Sequence, residues 1–362
     1  MNIREVHTKA DLRSFYRIQE EIYRGNKNIR FSESDITRLL VEGPTAFHRH
    51  ATVIPALIEE NGKVAGRFAF IHDRNLQDYL QVSFFEAQPG LGEIAGIITD
   101  SARSLFPDCK KLVVGLNGHL NYGAGILISH FDVPPVFGLP YNPEYYQDYF
   151  SGSVQRTMVS FRFPLKPFVD YQQKMAKIQD FKGITVRKLN KKKLKEETEI
   201  YTYLNNACFP GHPFWADRHV EEDYELFRPF RFLIKEENLL FAEKNGKPIG
   251  FFLWYPDFNQ LINHKQHLGW KEVLRYQLAN PIDTFRFTEI AVLPEYQISY
   301  AVQAMILYAI PLIEKTGVTT GEGGFIFEEN TSSMVMTSRF LERVTGLKMT
   351  PYRRYATFEY TL

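Results

Sequence analysis

Two nearly matching segments of the sequence lie 184 positions apart. Residues 59–70 read EENGKVAGRFAF, and residues 243–254 read EKNGKPIGFFLW. Each segment contains an Asn-Gly pair, which is typical of a two-residue β-hairpin turn because both residues tolerate positive φ. Each also has a glycine in its second strand, Gly66 or Gly250, which predicts a β-bulge or a close approach of another backbone. The repetition of this predicted hairpin indicates that the chain contains two copies of one fold.

Further matching segments follow the first pair in the same order along the chain. They are 3–6 with 186–189, 84–89 with 289–294, and 156–165 with 353–362, at offsets of 183, 205 and 197. The spacing between matching segments changes because the second half has extra residues, around 259–282. The sequence therefore predicts an α/β protein (α+β, mixed sheet) with an N-terminal domain at 1–165, a linker at 166–180 and a C-terminal domain at 181–362.

Composition limits the possible partners and compartment. The chain has 362 residues, which suits two domains, and its net charge of +1 without a long basic block argues against nucleic acid as a partner. Two cysteines, Cys109 and Cys208, predict no disulfide framework and favour a cytoplasmic protein. The N-terminal residues have no apolar core, and the apolar stretch 301–313 is too short to span a bilayer, so we expect neither a signal peptide nor a membrane partner.

The second half has the clearer pattern of secondary structure. Its apolar spacing predicts the order β-α-(α)-β-β-β-α-β-α-β. The fourth strand ends as Ile-Ala-Val-Leu-Pro-Glu-Tyr-Gln at 290–297 and runs into an apolar helix. In this order and this strand end the chain resembles the GNAT acyltransferase superfamily. The stretches 131–146 (FDVPPVFGLPYNPEYY) and 351–362 (PYRRYATFEYTL) are similar to those of bacterial tandem GNAT-like proteins.

The resemblance implies two tandem GNAT-like acyl-CoA N-acyltransferase domains with acetyl-CoA as the co-substrate. In that superfamily the main chain of the fourth strand pairs with the pantetheine arm, and the amides that open the next helix hold the pyrophosphate. Exposed N–H groups and the helix dipole both favour a phosphate at such a position. The cofactor-binding residues implied here are Ala291, Val292, Leu293, Gln297, Ser299, Tyr300, Ala301 and Asn330.

The sequence departs from the superfamily at two places. Tyr300 and Val302 stand where the pyrophosphate loop has glycine or another small residue, and a side chain there costs close contact with the phosphate. Leu341 stands where many of these enzymes have a tyrosine that protonates the departing thiolate. Tyr300 and Tyr352 are alternative phenols.

Acetyl transfer to an amine requires a base for the ammonium proton. Glu289, on the fourth strand, is the candidate catalytic base, and the alternative is an outward-facing strand carboxylate. The candidates for contacting the amine are His212 and Trp215, in a segment that can equally be a packed aromatic loop, and Asp257, at the end of the third strand.

Several other motifs allow two interpretations each. Cys208 is either a nucleophile beside His212 or a small buried thiol. The first-half Gly-x-Gly at 90–92 is either a phosphate cradle or a plain strand-to-helix turn. The run 141–146 either lines a cleft between the halves or seals the first one. No histidine pair has a carboxylate or cysteine at a recognised spacing, so we expect no metal site.

These features together predict an N-acyltransferase that uses acetyl-CoA and acts on a small-molecule or peptide amine, with its active site in the C-terminal domain. Two alternatives remain open. One is a non-catalytic GNAT-fold binding protein with a degenerate CoA loop. The other is an aminoacyl-tRNA-dependent transferase, which the lack of excess basic charge disfavours.

Overall fold

The computed structural model describes residues 1–31, 34–175, 181–279 and 281–362. The strands are β1 Asn2–Glu5, β2 Ala51–Glu60, β3 Lys63–Asp73, β4 Tyr79–Ala87, β5 Lys111–Val114, β6 Ile126–Leu127, β7 Val154–Pro164, β8 Ile184–Lys188, β9 Leu239–Lys244, β10 Lys247–Pro256, β11 Thr284–Val292, β12 Thr320–Phe327 and β13 Arg354–Thr361. The helices are α1 Lys9–Ile22, α2 Ser34–Glu42, α3 Ile94–Leu105, α4 Tyr146–Tyr149, α5 Lys166–Met175, α6 Leu194–Cys208, α7 Val220–Phe230, α8 Trp270–Leu278, α9 Ala301–Glu314 and α10 Thr331–Thr345. The element order predicted for the second half is confirmed except that a helix, α8, lies between its third and fourth strands.

Within the described residues, all the strands belong to one mixed sheet. Its order is β1-β2-β3-β4-β5-β13-β7-β12-β11-β10-β9-β8, with the short β6 paired to β13. The two ends of this order mirror each other. In each half four antiparallel strands come first, and the fourth then pairs in parallel with the fifth. The tandem arrangement that the repeats predicted is thus present as two similar units in one sheet.

The two units exchange their last strands at the centre of the sheet. β7, the last strand of the first half, pairs with β12, whereas β13, the last strand of the chain, pairs with β5. The exchanged strands also pair with each other. A buried ion pair crosses this junction, because Arg353 Nε lies 3.2 Å from Glu322 Oε1 and neither side chain is more than 1% exposed. Each half therefore depends on the other half for its last strand.

The repeated hairpin has the same backbone geometry in both halves. The register shifts beside Gly66 and beside Gly250, so the predicted bulges are confirmed. A Cβ at Gly66 would lie 2.7 Å from the carbonyl oxygen of Glu86, and a Cβ at Gly250 would lie 2.6 Å from that of Ala291. Both glycines are required because the fourth strand of each unit runs too close for a side chain.

The predicted linker is partly helical. Residues 166–175 form α5, which packs against α9 and α10, and residues 176–180 lie outside the described part of the chain. In the second half α9 covers one face of the sheet and α6 covers the other. Among the described residues, no helix is long and apolar enough to cross a membrane.

In both halves the fourth and fifth strands separate before the fourth strand ends. β11 pairs with β12 only from Thr284 to Phe287, although it continues beside β10 to Val292. β4 pairs with β5 only from Tyr79 to Val82 and continues beside β3 to Ala87. A bulge in the fourth strand accompanies the separation in each half. Two openings in the sheet result, one in each unit.

Candidate functional site

The opening in the second half leaves one backbone edge of β11 without a partner strand. Leu293 N–H donates to the carbonyl of Ile249 (2.9 Å), and Ala291 pairs opposite Phe251. Because backbone groups alternate in direction along a strand, those of Ile290 and Val292 point away from β10. In the part of the chain that the structure describes, no side chain hydrogen-bonds to the backbone of these two residues. The edge that the resemblance assigns to the pantetheine arm is therefore not occupied by a side chain of the described residues.

A second backbone feature follows directly after β11. Residues Pro294–Tyr296 form a single 3₁₀ turn, and α9 then begins at Ala301. Ser299 Oγ accepts the backbone N–H of Ala301 (3.2 Å), the first residue of the helix. Gln297 is exposed. The remaining amides of the first turn and the positive end of the helix dipole suit a phosphate group.

The Tyr300 side chain lies beside a lysine at the same helix end. Its side chain is 43% exposed, and Lys182 Nζ lies 5.2 Å from its ring centroid. Lys182 precedes β8 and brings a positive charge to the start of α9. This lysine was not identified from the sequence, because only the fold brings it next to the helix.

Asn330 and Leu341 have structural roles in α10. Asn330 Oδ1 accepts the backbone N–H of Ser333 (3.1 Å) and so caps the helix. Leu341 is buried in the apolar core beneath α9. The side chain at this position therefore packs in the interior.

Buried polar residues surround Glu289 on the opposite face of the sheet from α9. Tyr201 Oη on α6 donates to the Glu289 carboxylate, 3.2 Å from each oxygen. Asn121 of the first half donates to the same phenol (3.3 Å). Arg218 lies 5.5 Å above the Tyr201 ring and pairs with Asp223 (3.0 Å). Both halves thus contribute to the surroundings of the candidate base.

The Glu289 carboxyl is in an environment that disfavours ionisation. Burial raises its pKa, and the Arg218 charge and the Tyr201 hydrogen bond oppose this shift only in part. Burial, reinforced by the negative charge of Glu289, raises the pKa of Tyr201 well above its usual value. Tyr201 therefore remains a proton donor, and Glu289 has a higher proton affinity than an exposed carboxylate.

Two of the predicted substrate-contacting residues, His212 and Trp215, lie near this cluster. Arg218 stacks over the Trp215 ring as well as over Tyr201, at 5.5 Å in each case. His212 packs edge-on against Phe209 (5.1 Å) and accepts the Trp215 backbone N–H at its carbonyl (3.1 Å). Burial lowers the His212 pKa. The structure thus connects Trp215 to Glu289 through Arg218 and Tyr201.

Asp257 lies at the other end of β11. Its backbone N–H donates to Thr284, the first residue of that strand. Its carboxylate Oδ1 accepts the backbone N–H groups of Phe137 (2.8 Å) and Asn259 (3.2 Å). Asp257 is buried, and through Phe137 it joins the two halves.

The opening in the first half is closed by the protein's own side chains. Ala87 is the equivalent of Val292, because it lies opposite Gly66 as Val292 lies opposite Gly250. Its backbone N–H donates to Tyr146 Oη (2.9 Å). Its carbonyl accepts the hydroxyl of Tyr145 (2.8 Å). Other side chains bind the neighbouring backbone in the same way. The Tyr149 hydroxyl bonds to the backbone of Gln88 and of Leu91, and the Asn117 side chain bonds to the backbone of Phe84.

This contact pattern distinguishes between interpretations that the sequence left open. Within the run 141–146, Tyr145 and Tyr146 seal the first half. Contact with the second half is made before this run, where Phe137 packs against Phe258 (5.3 Å). The amide of Leu91 is taken by Tyr149, as expected of a plain turn at 90–92. Burial raises the pKa of Cys208 to about 12, so its thiol is protonated at neutral pH.

Several residues of the Glu289 cluster were missed from the sequence. Tyr201 has the spacing of a core aromatic on α6, and its hydroxyl gives no sign of a polar partner. Asn121 lies 168 positions before Glu289 and reaches the cluster only because the halves pack together. Arg218 lies in the segment GHPFWADRH at 211–219, from which the sequence analysis selected His212 and Trp215 but not this arginine.

Comparison with known proteins shows which solved structures share this fold. No family model matches the sequence. Protein YghO of Escherichia coli (strain K12) is 23% identical over 261 residues, which cover 67% of this chain and 63% of that protein. A tandem GNAT protein from the clavulanic acid biosynthesis pathway superposes with a TM-score of 0.54 at 11% identity, covering 99% of this chain and 98% of that one.

A second solved structure matches over the same length of this chain. The GCN5-related glucosamine N-acetyltransferase region of a fungal multi-domain β-N-acetylglucosaminidase superposes with a TM-score of 0.55 at 15% identity, covering 99% of this chain and 38% of that one. Both matches cover the two units and the exchanged centre of the sheet together. The chain therefore has the fold of tandem GNAT proteins, with two GNAT-like units in one polypeptide.

Proposed function

We propose that the protein is an acyl-CoA-dependent N-acyltransferase whose active site lies in the second half. The observation that carries this proposal is the difference between the two openings in the sheet. In the first, hydroxyl groups of the protein's own tyrosines bind the backbone of Ala87. In the second, the equivalent backbone at Val292 has no such side-chain partner among the described residues. One unit is then structural, and the other can bind a ligand.

The residues around the second opening fit the pantetheine arm and pyrophosphate of an acyl-CoA. The backbone edge at Ile290 and Val292 supplies a donor and an acceptor for the amides of the arm. Thr288 Oγ1, next along the strand, is buried without a hydrogen-bond partner in the described structure, and a ligand amide would satisfy it. The first turn of α9 and Lys182 supply positive potential for the phosphates.

Glu289 is the proposed base for the amine. A bound thioester supplies an electrophilic carbonyl. The amine nitrogen forms the new C–N bond, the C–S bond breaks with its electron pair leaving on sulfur as the CoA thiolate, and Glu289 takes the proton that the nitrogen loses. The raised pKa of Glu289 suits this role, because a carboxylate that holds its proton more tightly is a stronger base. Tyr201 orients the carboxylate, and Trp215 and His212 lie on the side from which an amine would approach.

The first experiment is thermal unfolding with and without acetyl-CoA and CoA. A ligand present at about 100 times its Kd stabilises the native state by about 2.7 kcal/mol, so binding gives a clear upward shift in Tm. Val302→Pro removes one amide from the first turn of α9, where proline is tolerated in a helix. Ala95→Pro makes the same change at the second position of α3 in the first half and serves as the matched control. We expect the shift to be lost in Val302→Pro and kept in Ala95→Pro.

Either of two results would contradict the proposal. If neither ligand shifts the Tm of the parent protein, an acyl-CoA is not the co-substrate. If Ala95→Pro loses the shift and Val302→Pro keeps it, the ligand binds in the first half. A shift without turnover of any amine acceptor would instead favour the non-catalytic binding protein, which the buried Leu341 in place of a tyrosine also favours.

Glu289→Gln tests the proposed base directly. We expect kcat to fall about 10²–10⁴-fold, the usual contribution of general base catalysis, with the Kd for CoA unchanged. The measurement is steady-state turnover with an accepted amine, together with CoA titration of both proteins. Equal turnover in the variant and the parent would remove Glu289 from the mechanism.

A further inference from the structure

A group of potential metal ligands lies where the first half contacts α7. His50 follows the 3₁₀ turn Ala46–Arg49, and His219 and Glu222 lie at the start of α7. One ligand atom from each of the three lies within 4.8 Å of the other two. His50 and Glu222 are buried, whereas His219 is exposed. Two histidine nitrogens and a carboxylate oxygen form a donor set that Zn²⁺ commonly binds.

The His50 ring is held in the orientation that metal ligands usually have. Its Nδ1 lies 2.8 Å from Oδ1 of Asp73, a buried carboxylate, and its Nε2 is hydrogen-bonded to Glu222. A carboxylate on the far nitrogen fixes the tautomer of a ligating histidine and raises its basicity. Asp73 also accepts the backbone N–H of Asn75 (2.8 Å), which holds the carboxylate in place. This support is present although sequence spacing did not predict a site.

A fourth polar side chain is directed at the same carboxylate. His119 is 3% exposed, and its Nδ1 accepts the backbone N–H of Asn121 (3.2 Å). Because Nδ1 accepts, the proton of the neutral ring is on Nε2, which lies 3.8 Å from Glu222 Oε2 and has no hydrogen-bond partner in the described structure. A bound metal would draw Glu222 Oε1 to itself and leave Oε2, or a metal-bound water, to accept this N–H.

The group is accessible from solvent. A surface pocket between α6 and α7 is lined by Thr202, Asn206, Arg218 and His219, among other residues. A metal ion can therefore reach the exposed His219 without unfolding the protein.

We propose that His50, His219 and Glu222 bind a divalent transition-metal ion of the zinc type, with water as a fourth ligand. Binding displaces the proton that His50 and Glu222 share, and that proton leaves to solvent. The ion joins His50 of the first half to two residues of α7 in the second half. It therefore stabilises the packing of the two units, and the proposal does not depend on the acyl transfer proposed above.

The test uses the full-length protein without a histidine tag, stripped of metal by a chelator. We measure Zn²⁺ binding by calorimetry and Co²⁺ binding by its visible absorption, which is intense only in four-coordinate sites. We expect one equivalent of either ion and a rise in Tm with Zn²⁺. His219→Ala removes an exposed ligand and should weaken binding at least tenfold, whereas His7→Ala, at an exposed histidine of the first half, should change nothing.

Asp73→Asn provides the second variant, because it keeps the three ligands but weakens the support of His50. Loss of such a partner typically lowers metal affinity about 10–100-fold, and circular dichroism verifies that the variant is folded. The proposal is overturned if the parent protein binds no Zn²⁺, or if His219→Ala binds it as tightly as the parent does. It is also overturned if the Co²⁺ complex lacks the four-coordinate absorption.

Discussion

The buried carboxyl of Asp257 makes the stability of this protein depend on pH. Burial raises its pKa from 3.8 to about 7, although two backbone N–H groups donate to it. The native state therefore binds this proton more tightly than the unfolded chain does. Because stability changes with pH according to the difference in bound protons, the stability contributed by this group is present below the unfolded pKa. It is lost as the pH rises towards the folded pKa.

The size of this effect follows from the shift. Moving the pKa from 3.8 to about 7 corresponds to about 4 kcal/mol at 1.36 kcal/mol per pKa unit, as an order-of-magnitude value. Asp257→Asn keeps an amide oxygen that can accept from Phe137 and Asn259 but has no charge to bury. We expect this variant to exceed the parent protein in free energy of unfolding by up to about 4 kcal/mol at about pH 8 and to match it at about pH 4.

The assay is urea denaturation of both proteins across this pH range. Asp100→Asn is the matched control, because the Asp100 side chain is 79% exposed on α3 and the substitution removes no buried charge. A gain for Asp257→Asn that is the same at every pH, or no gain at the high end, would refute the reasoning. Asp257→Ala should be less stable than Asp257→Asn at every pH by about 1–3 kcal/mol for each unpaired N–H group.

Two further predictions concern the sheet. Arg353→Met leaves Glu322 buried without its ionic partner at the strand exchange and should cost about 3–5 kcal/mol of unfolding free energy. The double variant Arg353→Met, Glu322→Gln should recover part of this loss. Urea unfolding of the single and double variants checks the prediction, and a single variant as stable as the parent would contradict it. Gly250→Ala places a methyl group 2.6 Å from the Ala291 carbonyl and should cost about 1–3 kcal/mol. Gly96→Ala, which meets no atom within 4 Å on helix α3, should instead gain about 0.5–1 kcal/mol, and melting curves of the two variants that do not differ would be evidence against the close contact.

Much of the secondary structure of each unit could be predicted because short stretches of sequence determine it. An Asn-Gly turn, an alternating strand and a glycine that permits close approach act within a few residues, so the hairpins at 59–70 and 243–254 could be matched directly. The strand end at 290–297 likewise marks the start of α9 in one continuous stretch. Glu289 could be named as a candidate because its place on this strand is set by the same stretch.

The surroundings of Glu289 could not be predicted in this way. Tyr201 and Arg218 come from two helices, and Asn121 comes from the other half of the chain. Hydrogen bonds between such residues depend on how the helices and the two halves pack, and no spacing along the sequence records that packing. For the same reason, the group formed by His50, His219 and Glu222 could not be recognised from the sequence.

By itself the sequence determined that one α/β unit occurs twice, in which order its elements run and where its fourth strands end. Periodicity, turn residues and internal repetition decide these features, since they act over short distances along the chain. Only the tertiary structure decided that β7 and β13 exchange positions in the sheet and that Tyr145 and Tyr146 bind the backbone at the first opening. It also decided that no side chain of the described residues does so at the second. Strands 156–165 and 353–362 have similar patterns and could pair with either unit, so long-range packing alone selects their partners.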